Sequence, residues 1–152
     1  MILVDINILM DVFVKREPHF GQSARLVDRV ANGRLDACVS AHGITTLHYL
    51  VERMTDTVEA RNAVDWTLQL FSVAPVDQTI IERARSLDWR DFEDAVMAAA
   101  AESAGCTAII TRNARDFVRS PVPAMAPEEL VISEIHESFV QGYARSATES
   151  QP

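Results

Sequence analysis

A chain of 152 residues with 48% hydrophobic content is long enough for one domain with a substantial core and too short for two ordinary ones. Its formal net charge of -8 argues against nonspecific nucleic-acid binding through a basic surface, although a group of carboxylates that binds divalent cations contributes to the same imbalance. No apolar run approaches the ~18 residues of a membrane span, and the start, MILVDINILM, lacks the basic region of a secretion signal, so a cytoplasmic protein with no membrane partner is expected.

Residues 1–4 form an apolar run with Asp5 at its end, a strand closed by a carboxylate, and Asn7 is placed to cap a short helix over 8–14. Asp5 reads either as a turn or capping residue or as an acid at the carboxyl end of a buried strand, where open α/β sheets bind ligands. Pro18 opens the next helix, with Phe20, Ala24, Val27 and Val30 on one stripe and Gly33 just past its end. Residues 36–39 give a second strand, Ser40 a cap, and 44–54 a helix whose apolar face is Ile44, Leu47, Leu50, Val51 and Met54. Thr57 is placed to cap a further helix with Val58, Ala63, Trp66 and Leu70 buried, and 71–76 is a third strand that Pro75 assigns to an edge or a strand end. Asp77 starts a helix carrying Ile80, Ile81 and Ala84, and Arg83 and Arg85 near its end suit the helix dipole.

The most informative stretch is DFEDAVMAAAAESAGCTAIITRNARDF, residues 91–117. Asp91 and Asp94 share one face of a first helical turn, where capping alone accounts for them unless other acids join them. Ala95 and Ala98 to Ala101 let this helix approach a sheet closely, Gly105 supplies the stop, and 106–110 suits a strand buried on both faces. Thr111, Asn113 and Asp116 then fall on the loop where that strand ends. Cys38 and Cys106 both lie in buried strands without metal-ligand spacing and read as small core residues, and the four histidines form no zinc pattern. Residues 122–125 are a fifth strand, and Pro127 opens a final helix facing inward with Leu130, Ile132, Ile135 and Phe139. Strands alternating with helices call for an α/β fold, a parallel sheet with helices on both faces. One domain is expected, with its body at 1–130 and a C-terminal helical extension and frayed polar tail at 131–152.

Taken in order, LVDINILMD, SAHGITTLHYL, DFEDAVMAAAA, IITRNARDF and VPAMAPEEL resemble the PIN domains, and within them the ribonuclease toxins of bacterial VapBC toxin-antitoxin modules. The resemblance covers about residues 1 to 130 and implies a five-stranded parallel sheet in an α/β/α sandwich, with acidic residues that bind Mg2+ or Mn2+ and hydrolyse RNA. Carried over by position, it assigns Asp5, Asp94 and Asp116 as metal-binding acids. Thr111 and Asn113 are then polar residues that position the last acid or the attacking water, and Asp91 a further acid whose role as ligand or cap stays open. It also implies a homodimer and a small antitoxin partner.

The chain departs from that pattern at Thr46, which stands where the family usually has Glu in the helix after the second strand. Glu52 faces well away from position 46 on an ideal helix and is no replacement. The alternative reading is therefore a catalytically weakened PIN domain acting as a binding or scaffold protein. Arg112 and Arg115 flank the proposed site, as phosphate contacts or as solvated loop arginines. A receiver domain needs a lysine near its last strand, but Lys15 is the only lysine. A haloacid-dehalogenase-like phosphatase needs Asp-x-Asp, but the chain has Asp5-Ile6-Asn7.

Overall fold

The computed structural model describes residues 1–130. Its elements are β1 (Ile2–Val4), α1 (Ile6–Phe13), α2 (Phe20–Ala31), β2 (Ala37–Ser40), α3 (Ala41–Met54), α4 (Thr57–Leu70), β3 (Ser72–Ala74), α5 (Gln78–Leu87), α6 (Phe92–Ser103), β4 (Ile109–Ile110), a 3-10 turn (Ala114–Phe117) and β5 (Ala124–Met125). The strands form one five-stranded sheet in the order β3-β2-β1-β4-β5, and every pairing is parallel. The expected five-stranded α/β/α architecture is the one observed.

The period of two along each strand divides the core between the two faces of the sheet. Ile2, Val4, Val39 and Ile110 point into one cluster with α1 to α4, where Phe13 meets Trp66 edge-on at 5.1 Å. Leu3, Cys38 and Ile109 point into the other, against the alanine face of α6 and against α5. A strand that must be apolar on both faces has no polar alternation, which is why 1–4 and 106–110 read as continuous apolar runs. The two cysteine sulfurs lie 3.5 Å apart in the second cluster, and burial pushes the Cys38 thiol up to about 12, so the pair behaves as protonated core thiols.

Aspartates start four of the helices, and two of these caps differ from expectation. Asp5, not Asn7, caps α1, its side chain accepting from the Asn7 N–H; Asp56, not Thr57, caps α4, accepting from the Glu59 N–H. In both cases the carboxylate one or two positions upstream reaches the free N–H groups of the first turn, while Asn7 and Thr57 are already helical. The Thr57 hydroxyl instead donates to Glu52 at 2.8 Å. Asp77 and Asp91 cap α5 and α6 as read from the sequence, whereas Ser40 precedes α3 without a side-chain capping bond.

Val58 and Ile81, expected inside, are 64% and 41% exposed, because the buried stripes run through Ala60, Ala63 and Thr67 on α4 and through Ile80 and Ala84 on α5. β4 is shorter than the apolar run suggested, since only Ile109 and Ile110 pair with neighbours on both sides. Residues 127–130 are helical, as Pro127 implied, and Leu130 is buried in the first cluster. Ile132, Ile135, Phe139 and the expected tail lie outside the described residues. Among the described residues no helix is long and apolar enough to cross a membrane.

Candidate functional site

Chain order dictates where a crevice forms. From β1 the chain moves outward to β2 and β3, then crosses to the other side of β1 to lay down β4 and β5, so β1 and β4 are neighbours at a topological switch point. The loops leaving their carboxyl ends diverge, and open α/β sheets bind ligands in the gap. Asp5 ends β1 and Thr111 ends β4, which puts both at that gap.

Asp5 is buried and fixed from two sides: one carboxylate oxygen accepts the Asn7 N–H at 3.0 Å and the other accepts the Thr111 hydroxyl at 2.8 Å. It is therefore both a helix cap and a switch-point acid. Thr111 oxygen in turn accepts the Asn113 N–H at 3.1 Å, and the Asp116 N–H donates to the Asn113 carbonyl at 2.9 Å. Asn113 thus works through its backbone, in a relay that orders the loop bearing Asp116.

The opposite wall is the start of α6. Asp91 accepts the Glu93 and Asp94 N–H groups at 3.0 and 3.2 Å, which makes the capping role expected of it real, and it also lines the cleft. Asp94 follows with its carboxyl raised to about 6, first because it is half-buried and then because Asp91, Asp5, Asp116 and Glu93 surround it with negative charge. Every charged neighbour acting on it is a carboxylate. Asp91, Asp94 and Asp116 share an open cleft of about 520 Å3 with Trp89, Arg90 and Arg119. Neither arginine pairs with an acid among the described residues, and Trp89 is braced edge-on by Phe117 at 5.6 Å.

Arg112 and Arg115, read from the sequence either as phosphate contacts or as solvated loop arginines, do not line this cleft. Arg112 turns inward to fully buried Asp11, at 3.1 Å, and Arg115 lines a different cleft with Val118, Pro121 and Glu129. Arg90 and Arg119 were missed because nothing in their local sequence distinguishes them from other exposed arginines; only the fold brings 90 and 119 to one cleft. Also unforeseen is a contact between α3 and α6: the Thr46 hydroxyl donates to the Glu93 carboxylate at 3.2 Å, and His42 Nε2 stands 4.0 Å from the same oxygen. Burial holds the His42 imidazole below its ordinary range despite the opposing pull of Glu93 and Asp5, so at neutral pH this contact is not an ion pair.

The donor set consists of crowded carboxylate oxygens that form no ion pair with the arginines of the cleft among the described residues, the chemistry that suits a hard divalent cation. Among the described residues no three His, Cys, Asp or Glu side chains are gathered closely enough to hold an ion as they stand. The fit is one of donor type, and binding would draw the side chains inward.

A family model described as PIN domain matches residues 1–115. Ribonuclease VapC1 of Aquifex aeolicus (strain VF5) is 23% identical over 133 residues, spanning 84% of this chain and 91% of that protein. Among solved structures, a toxin-antitoxin complex from Klebsiella pneumoniae superposes with a TM-score of 0.64 at 22% identity, covering 84% of this chain and 98% of the matched one. VapC20 of Mycobacterium tuberculosis, described as a sarcin-ricin loop cleaving toxin, superposes with a TM-score of 0.60 at 18% identity over 72% of this chain and 87% of its own. At these identities the two solved structures establish likeness of fold.

Proposed function

This chain belongs to the PIN-domain family, and from that premise we propose that it is a ribonuclease that hydrolyses RNA phosphodiester bonds as the toxin of a toxin-antitoxin module. The observation that carries the reading is the electrostatic crowding of Asp94, whose carboxyl is raised by burial and by the negative charge of Asp91, Asp5, Asp116 and Glu93. Asp5, Asp94 and Asp116 would hold Mg2+ or Mn2+. Such an ion, when bound, polarises the phosphoryl oxygens and lowers the pKa of water.

The remaining residues have distinct tasks in this reading. Thr111 keeps the Asp5 carboxylate aimed and Asn113 orders the Asp116 loop through its backbone. Asp91 fixes the first turn of α6 and with it the position of Asp94. Arg90 and Arg119, without acidic partners among the described residues, are placed to meet RNA phosphates, and Trp89 offers an aromatic surface to a base. Purified protein should cleave RNA when Mn2+ is added and stop when it is chelated, and Asp94→Asn should abolish cleavage while remaining folded. Equal cleavage by the two proteins would remove the catalytic assignment.

Thr46 favours a second reading, a PIN domain with weakened catalysis that binds rather than cuts RNA. Retained RNA binding without metal-dependent cleavage would select it. The full chain is taken as one domain and as a homodimer. A small antitoxin is the expected partner, supported by the fold shared with the Klebsiella pneumoniae toxin-antitoxin complex. Sedimentation that yields only monomer across the micromolar range would exclude the dimer.

A further inference from the structure

The chain has two tryptophans, and they stand in different surroundings. Trp66 packs against the first core cluster with Phe13 at 5.1 Å and Phe71 at 6.4 Å, an apolar setting that burial alone explains. Trp89 stands on the link between α5 and α6. Asp88, in the left-handed conformation at φ 55°, ends α5, and Asp91 caps α6, so the link is pinned at both ends. Part of Trp89 packs against the second cluster, where the Phe117 ring meets it at 85°. The residue also lines the cleft, with Arg90, Asp91, Asp94, Asp116 and Arg119. An aromatic ring needed only for packing gains nothing from a wall shared with charged side chains.

A nucleotide matches such a wall: the ring takes the face of a base and a guanidinium takes a phosphate. A base paired inside an A-form helix keeps its faces on its neighbours and cannot reach the ring, whereas an unpaired base can. Stacking uses a π-face that every base has, so it selects for an accessible base more than for its identity. Resting on the nuclease reading above, we propose that Trp89 is a specificity-determining residue that confines the chain to unpaired RNA, seating one unstacked base beside the acids of the cleft. Phe117 follows Asp116 directly, so its contact with Trp89 fixes the ring relative to the loop that carries that acid. Arg90 and Arg119 meet the phosphates of paired and unpaired RNA alike and carry no such selection.

The test is RNA binding by the intact chain in EDTA at low salt, followed by the fluorescence of Trp89 in a Trp66→Phe protein. The probes are oligoadenylate, oligouridylate and the duplex of the two. Each single strand should quench the fluorescence and the duplex should not. Trp89→Leu keeps apolar bulk against the second cluster without an aromatic face, and circular dichroism checks its fold. It should weaken single-strand binding by about tenfold, measured by the anisotropy of labelled RNA, and leave duplex binding unchanged, while Trp89→Phe recovers most of the loss. Arg90→Ala with Arg119→Ala should instead weaken both forms. Equal quenching by duplex and single strands, or single-strand binding by Trp89→Leu at wild-type strength, overturns the proposal. If wild type cuts RNA with Mn2+ and Trp89→Leu cuts it with the same KM and the same preference for unpaired RNA, the proposal alone falls. If wild type neither binds nor cuts RNA, the nuclease reading falls with it.

Discussion

Two aspartates at the ends of α1 are buried alike and surrounded in opposite ways. Asp11 is fully buried, with Ser23 donating to one oxygen at 3.0 Å and Arg112 and Arg16 facing the other at 3.1 and 3.7 Å. That second oxygen accepts no well-aligned hydrogen bond, so the arginines hold it by charge more than by geometry. Asp5 has only neutral donors, the Asn7 backbone N–H and side-chain amide and the Thr111 hydroxyl, and its charged neighbour across the crevice is another acid, Asp94. Consecutive residues of one loop serve both ends, Thr111 toward Asp5 and Arg112 toward Asp11. A buried carboxylate neutralised within the fold makes loss of its partner costly, and one left among other carboxylates is free to attract a cation from outside.

The largest effect expected from this contrast is catalytic. Asp94→Asn should lower RNA cleavage by about a thousandfold, within the range that positioned acids and bases supply, while metal-free stability at neutral pH rises because crowding among the acids is relieved. A fall in stability would mean that Asp94 belongs with Asp11 as a structural acid. Next in size is Arg112→Ala, which leaves the buried Asp11 charge with only the more distant Arg16 and should cost about 3 kcal/mol in denaturant unfolding. A loss under about 1 kcal/mol would show that Arg16 alone neutralises Asp11.

Smaller is the combined change Arg90→Ala and Arg119→Ala. It should weaken RNA binding by about tenfold, the order of one or two charge-assisted contacts, with the melting temperature unmoved because neither arginine has an acidic partner among the described residues. The smallest is a pH effect. The Asp94 carboxyl is raised from an ordinary 3.8 to about 6, so the folded chain holds that proton more tightly than the unfolded one. Its contribution favours folding below the ordinary value and is lost as pH rises through the interval up to about 6. The metal-free stability profile of Asp94→Asn, compared with wild type, should lack that decline; identical profiles would contradict the crowding.

The acids of the site were legible because each occupies a position that local pattern marks: the end of an apolar run for Asp5, a helix start for Asp91 and Asp94, the loop after a buried strand for Asp116. The sheet was legible for the same reason, since the continuous apolar runs around Leu3 and Ile109 admit few other placements. Capping was read one or two residues late at Asn7 and Thr57, where two polar residues in a row can each begin a helix and only backbone geometry separates them. The contacts of Arg112 and Glu93 were not foreseen because their partners, Asp11 and Thr46, are distant in sequence, and spacing carries no information about contacts between elements. Val58 and Ile81 mark a milder failure: each flanks the buried stripe of its helix, and small residues such as Ala60 and Ala84 took the inward positions.

The hydroxyl bond from Thr111 to Asp5 joins residues 106 apart in the chain. At ribosomal speeds, roughly 5 to 20 residues per second, Asp5 emerges and waits roughly 5 to 20 s before Thr111 is even synthesised, and longer before it clears the exit tunnel. Through that interval β1 lacks β4, and the acids of α6 and of the last loop are not yet set against Asp5. A chain interrupted before β4 carries the first acid without the site. The arrangement of Asp5 against the residues of the β4 loop is consequently completed only late in synthesis, after α6 has already been made.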